Sequence, residues 1–350
     1  MIKKKVLELI RKRNNELLDR DYKNKSLVLK GYPNGVMFEP FSSCNYECPL
    51  CPSGLGILKR EYAKMTFDSF KKYLSPLRFT TEYVTLWHFG EPFLNGELDK
   101  FVDYCKKYYI KTQISTNGSL LEGELLKRVL IAGVDRLIIS LDTYDGDIYP
   151  RYRVGGDFNK IISNIQNTIK LRDELKSQTK IIVQYMIMKE NEDIEKMKVH
   201  GKTLGVDEIL IKTVGLGTAI KDLKKGEEFF PENKDFRRYN MMTDDCVVTK
   251  YNDFSCKYAW KRMLVCSDGT CVVCVRDQNN EYIMGNLNGN TNIKDVWNGK
   301  KYQQFRKLLL TDNKDISFCQ RCPERLKYKL DPWVSKEEQS KGESKTFKLE

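Results

Sequence analysis

The sequence predicts an α/β fold: a parallel sheet covered by helices, followed by a smaller, cysteine-bearing domain. Three observations carry this. Six strand-like apolar runs alternate with amphipathic stretches from residue 36 to about residue 214. The strands are apolar almost throughout, as a sheet covered on both faces requires. After about residue 235 the strands shorten, cysteines become dense, and Gly and Asn become frequent, as in GNLNGNTN over 285–292.

Residues 2–20 place Val6, Leu9, Ile10, Leu17 and Leu18 at helical spacing. This is read as a helix packed on the main domain, in preference to one lying on a membrane surface, and residues 1–35 form an N-terminal helical extension. Gly31, Pro33, Asn34 and Gly35 make a turn. Strands are expected at Val36–Glu39, Tyr83–Phe89, Lys111–Ser115, Arg136–Leu141, Lys180–Met188 and Glu208–Val214. Helices are expected at Phe67–Leu74, Leu98–Tyr108, Glu122–Ile131, Phe158–Arg172 and Glu192–Thr203. These make a core over 36–235, with a second domain over 236–330. Residues 331–350 are polar and largely charged and read as a mobile tail.

At 350 residues the chain holds one large domain and a smaller one. Apolar runs reach only about eight residues, short of a membrane span. The basic start is followed by interrupting charges, so it does not read as a signal peptide. Eleven cysteines, an odd number, then argue for metal ligation in a reducing, cytoplasmic setting over disulfides. The net charge of +12 suits anionic partners. Its basic residues are scattered, without an Arg-rich block or interleaved aromatics, so nucleic acid is not an expected partner.

Cys44, Cys48 and Cys51 sit within CNYECPLC, just after the first strand. Three thiolates at this spacing can hold three corners of a four-iron cluster. No fourth lies nearby, which leaves one iron open to another ligand. Zinc is the alternative, but it takes four ligands, and the chain has only two histidines, His88 and His200. Further on, Gly90-Glu91-Pro92 ends the second strand, Ser115-Thr116-Asn117-Gly118 the third and Ser140-Leu141-Asp142 the fourth, with Arg153 in YRVGG beyond it. Each of these is also compatible with ordinary loop capping. In the second domain Cys256, Cys274, Cys319 and Cys322 supply four thiolates.

The C-x3-C-x2-C spacing resembles the signature of the radical S-adenosylmethionine (SAM) superfamily, and the ordered second cysteine set resembles its SPASM/Twitch domain. The resemblance spans residues 36 to about 325. It implies a partial (β/α)6 TIM-like barrel, with ligands at the C-terminal ends of the strands. It also implies a [4Fe–4S] cluster on the first three cysteines, with SAM completing the open iron and yielding a 5′-deoxyadenosyl radical on one-electron cleavage. Expected SAM contacts are Gly90, Glu91, Pro92, Ser115, Asn117, Ser140, Arg153 and Gln184, with Leu50 near the adenine and Thr213 a weaker position. Phe89 stands where the family motif has a first glycine. Arg153 matches an arginine that pairs with the SAM carboxylate, a role its planar fork suits. The second set implies one auxiliary [4Fe–4S] cluster, since the seven-cysteine pattern is not met; the form is similar to that of 2-deoxy-scyllo-inosamine dehydrogenase. A structural zinc on the same four thiolates is the alternative.

For function, the resemblance implies a radical SAM enzyme that abstracts hydrogen from a substrate. The short N-terminal extension and the basic charge turn the expectation toward a small molecule, anionic or sugar-like, with oxidation favoured. The electron donor would be a flavodoxin or ferredoxin. Arg276 and Asp277 are candidate catalytic residues. Cys266, Cys271 and Cys246 are candidate hydrogen donors for an epimerase, or plain buried thiols, and Cys105 reads as core. A peptide-modifying enzyme and a non-catalytic metal-binding protein are the competing readings. The stretch of about 35 residues before the barrel is short for a peptide-recognition domain, which disfavours the first of these.

Overall fold

The computed structural model describes residues 4–220, 223–237, 256–311, 315–320, 322 and 345–348. Six strands run in the expected order: Gly35–Phe38 (β1), Tyr83–Leu86 (β2), Lys111–Thr116 (β3), Arg136–Asp142 (β4), Lys180–Ile187 (β5) and Glu208–Thr213 (β6). Each pairs in parallel with the next. The first helix, Lys4–Lys23 (α1), is tied to the body by Asn14, which exchanges hydrogen bonds of 2.8 Å with the Tyr32 backbone. Its Arg11 donates to the carbonyls of Tyr108 and Tyr109. The helices Phe67–Leu74 (α2), Leu98–Lys107 (α3), Gly123–Ala132 (α4), Tyr149–Tyr152 (α5), Phe158–Glu174 (α6) and Ile194–Leu204 (α7) follow between the strands.

Local chemistry sets their ends. Thr66, Asp157 and Asp193 cap α2, α6 and α7 by accepting from the N–H three residues on. Gly133 and Gly205 end α4 and α7 in the left-handed conformation.

One feature adds to the expected order, and one differs from it. The cysteine-bearing region does not begin a separate sheet: Arg262–Val265 (β7) pairs in parallel with β1, and Thr270–Val272 (β8) and Gly285–Asn286 (β9) continue from it antiparallel. Lys345–Lys348 (β10), inside the stretch read as a polar tail, pairs antiparallel with β6. The result is one ten-stranded sheet in the order β10-β6-β5-β4-β3-β2-β1-β7-β8-β9. It remains open, with β9 and β10 at its edges. The α/β class with a parallel sheet stands; the sheet is a partial barrel.

Along each strand the two faces part company. Leu137, Ile139 and Leu141 of β4, and Ile181, Val183 and Tyr185 of β5, join the large core shared with the helices. On the opposite face Ile138, Ile182 and Leu210 pack with Trp87 as a small apolar floor. Toward the C-terminal ends that face turns polar: Ser140 and Asp142 follow Ile138, and Gln184 follows Ile182. A polar rim over an apolar floor places the site at the C-terminal ends of the strands. Among the described residues no helix is long and apolar enough to cross a membrane.

Candidate active site and metal centres

The loop leaving β1 carries Cys44, Cys48 and Cys51, with Cys48 buried and the other two partly exposed. The Cys51 N–H donates to the Cys48 carbonyl at 3.1 Å and the Leu55 N–H to that of Cys51 at 2.9 Å, so the thiols sit on successive turns. Gly54 is required here: a Cβ would fall 2.4 Å from the Cys48 nitrogen. Gly90 is the second such point. Its φ is +79°, and a Cβ would lie 2.2 Å from the Phe41 carbonyl oxygen and 2.6 Å from that of Ser43. The Glu91 N–H then donates to the Ser43 carbonyl at 2.9 Å. Gly90→Ala should therefore displace the cysteine loop. We expect at least a tenfold loss of bound iron on reconstitution with the rest of the fold retained, read by iron assay beside circular dichroism.

Glu91 is almost fully buried. Its carboxylate accepts from Thr116 Oγ1 at 2.7 Å, the Phe93 N–H at 3.0 Å and the Asn117 N–H at 2.8 Å. Burial pushes its pKa up against the pull of these donors. Asn117 turns its amide to Asn45 Oδ1 at 2.9 Å and toward Cys44 Sγ at 3.9 Å. On the other flank Gln184 Nε2 donates to Asp142 Oδ1 at 3.0 Å and approaches Ser140 Oγ at 3.5 Å. Asp142 pairs with Arg153, whose Nη1 lies 3.6 Å from Cys48 Sγ.

Thus Cys44, Cys48, Cys51, Gly90, Glu91, Asn117, Ser140, Gln184 and Arg153 come together around one end of the sheet. Pro92 opens the short turn Pro92–Leu94 beside them, and Leu50 packs in a separate cluster with Met188, Val214 and Leu216. Ser115 lies on β3 opposite Ile138 of β4, and Thr213 closes β6. Asp142 already holds one arm of the Arg153 fork.

The donor set fits an iron–sulfur cluster. All three ligands are soft thiols, and amide and guanidinium N–H groups aim at two of them, as an anionic cluster requires. Each thiol lies in the field of the others, and burial first, then the charges of Glu91 and the neighbouring cysteines, pushes Cys44 up to about 11. Yet among the described residues no three His, Cys, Asp or Glu converge closely enough for a single metal ion.

The second set converges too. Cys256 precedes the short helix Tyr258–Lys261 (α8), Cys274 follows β8, and Cys319 lies in the short helix Ser317–Gln320. Cys256 sits in the field of Cys322 and Cys319, and Cys274 in that of Cys256 and Cys322. Burial raises both Cys256 and Cys274 to about 12. The Cys322 N–H donates to the Cys319 carbonyl at 3.2 Å, and the Arg276 N–H to Cys274 Sγ at 3.4 Å.

The remaining candidates make other contacts. Asp277 is buried with its carboxylate holding the Glu281 and Tyr282 N–H groups at 2.7 and 2.9 Å, which occupies it in a turn. The Arg276 carbonyl accepts from Thr218 Oγ1. Cys266 and Cys271 are fully buried, their thiols pointing at Asn280 Oδ1 and the Gly269 carbonyl. Cys105 is core in α3. Cys246 lies outside the described residues.

One group has no counterpart in the sequence expectations. Glu39, fully buried at the end of β1, receives both terminal nitrogens of Arg60, the Ser267 N–H and hydroxyl at 3.1 and 3.0 Å, and the Phe89 N–H at 3.3 Å. His88 stands in their field, held down to about 4 mainly by burial. Glu39 lies 21 residues from Arg60 and 228 from Ser267, so no local spacing announces the set. The Glu-Pro step before the cysteine loop is the one available hint.

Comparison with known proteins agrees with this geometry. Residues 38–198 match the radical SAM superfamily, and residues 256–323 match an iron–sulfur cluster-binding domain of the SPASM type. An uncharacterised protein of Methanocaldococcus jannaschii is 30% identical over 35% of this chain and 39% of its own length. The GTP 3′,8-cyclase of Clostridium botulinum is 23% identical over 67% of this chain and 79% of its own. The chain thus spans about two fifths of the first of these relatives. Among solved structures, Streptococcus suis SuiB bound to S-adenosylmethionine superposes with a TM-score of 0.62 at 14% identity, covering 84% of this chain and 72% of that one. At that identity the likeness speaks for the fold.

Proposed function

We propose that this chain, which belongs to the radical SAM superfamily and carries a C-terminal SPASM iron–sulfur domain, abstracts hydrogen from a small, anionic or sugar-like substrate and oxidises it. The family uses [4Fe–4S] clusters and SAM. When bound, these supply one-electron cleavage of the sulfonium and a radical able to take hydrogen from carbon. The rest is done by the chain's own residues. Cys44, Cys48 and Cys51 would hold the cluster that works with SAM. Glu91, fixed by Thr116, Phe93 and Asn117, would accept from the amino group of SAM. Ser115, Ser140, Gln184 and Arg153 would contact its polar groups, Gly90 and Pro92 would shape the turn that receives it, and Leu50 would offer it an apolar surface. Cys256, Cys274, Cys319 and Cys322 hold one auxiliary cluster. The domains are read as 1–35, 36–235, 236–330 and 331–350.

The observation that carries this reading is the convergence of three thiols with polar rim residues from β2 through β5 at one end of the sheet. The net charge of +12 supports an anionic substrate. So does the relative whose name gives GTP as its substrate. A flavodoxin or ferredoxin serves as reductant.

The test is anoxic reconstitution. The chain should bind about eight irons, four per cluster, and form 5′-deoxyadenosine with dithionite and SAM. Two zincs and no cleavage would reject the reading. Acceleration of that cleavage by a peptide, with none by anionic small molecules, would move the substrate to the peptide class.

A further inference from the structure

We propose that Asp142 and Arg153 form a balanced charge pair beside the N-terminal iron–sulfur site, the buried carboxylate compensating the guanidinium that faces Cys48. The inference rests on the reading that Cys44, Cys48 and Cys51 hold a cluster.

The backbone is built to present Asp142 here. Pairing of β4 with β5 slips between Ser140 and Asp142, and Asp142 adopts φ +67°, the left-handed region that non-glycine residues enter sparingly. Its carbonyl accepts from Asn191 Nδ2 at 2.9 Å, which fixes the bend. The side chain is fully buried. Gln184 Nε2 satisfies Oδ1 at 3.0 Å, and Oδ2 faces Arg153 Nη2. That contact is an ion pair without the alignment of a hydrogen bond, and Arg153 Nε is buried with no hydrogen-bond partner among the described residues. Nη1 points at Cys48 Sγ from 3.6 Å.

A guanidinium serving only the SAM carboxylate would need no buried acid behind it. This one is oriented from behind and presented to a thiolate. In an enclosed site a lone guanidinium would be costly, and the carboxylate compensates it. The pair then matters for the electron. Reduction adds negative charge at the cluster, which the positive partner favours and the negative partner opposes.

The two charges therefore carry opposite signs of effect, which separates this role from a merely structural one. In the reconstituted full chain without SAM, Asp142→Asn should raise the midpoint potential of the N-terminal centre, and Arg153→Gln should lower it. Each change should be about tenfold in the one-electron reduction constant, or ~59 mV. The double variant should return to within about a third of that shift from wild type. The centre is identified as the one whose paramagnetic resonance signal changes when SAM is added. Both single variants moving the same way, or neither moving, would overturn the proposal. Should Asp142→Asn fail to retain iron, Arg153→Lys decides, because it keeps the charge without the fork. A wild-type potential there supports the proposal, and a potential like that of Arg153→Gln overturns it. A wild-type chain with no SAM-responsive centre would defeat the functional reading itself. A responsive centre indifferent to both substitutions would defeat only this inference.

Discussion

Replacing Cys44, Cys48 and Cys51 together by alanine should abolish 5′-deoxyadenosine formation and cut bound iron from about eight to about four per chain, one cluster's worth. Replacing Cys256 and Cys274 should remove the other half. The fold should survive the first change. The cysteine loop is anchored by backbone bonds that do not involve sulfur, from the Glu91 N–H to the Ser43 carbonyl and from the Met65 N–H to the Pro40 carbonyl. Zinc, optical and thermal measurements on the triple variant check this directly. An unchanged iron count, or cleavage persisting without the triad, would show that the N-terminal thiols are not the SAM-binding centre. The triad and the auxiliary set lie in separate loops, and each would hold its own cluster, so the two losses of iron should add.

The cysteine sets, the strand order and the polar strand ends were legible from the sequence because each depends on near neighbours: a three- or four-residue spacing, an alternation, a turn. What local patterns cannot reveal is pairing at long range. The union of β7 with β1 joins residues more than two hundred apart, and nothing in RMLV names its partner. The same holds for Asp142. Its position in ISLD marks a strand end, but its pairing with Arg153 depends on a slipped register and a left-handed φ. Asp277 illustrates the converse. An acid three residues past Cys274 reads as chemistry, while in the fold it fastens the Glu281–Tyr282 backbone.

Glu39 is the clearest case of a residue whose importance comes from long-range contacts, and its removal should have the largest effect on stability. Glu39→Ala leaves Arg60, whose side chain is only 6% exposed, as an uncompensated buried cation, and frees the Ser267 and Phe89 N–H groups. Breaking one side of such a pair costs about 3–5 kcal/mol. Chemical denaturation of the metal-free chain should show a loss of that size. The double change Glu39→Met with Arg60→Met should recover most of it, because the apolar pair leaves no buried charge behind. A loss under about 1 kcal/mol in the single variant would mean that water reaches the pair and that burial does not govern its strength. The acid dependence has a definite sign. Burial pushes the Glu39 carboxyl up, but the hydrogen bonds and charge of Arg60 and the Ser267 N–H bring it below the ordinary glutamate range. Its contribution is therefore fully present above the unfolded value, about 4.3, and is lost as the pH falls through the folded value. The stability gap between wild type and Glu39→Gln should stay level from pH 8 to about 5 and narrow below about 4. Because Ser267 is one of the bonded partners, the turn after β7 should loosen in the same variant. Faster amide exchange at Ser267 and Gly269 than in wild type would tie the carboxylate to the placement of the cysteine-bearing domain against the barrel.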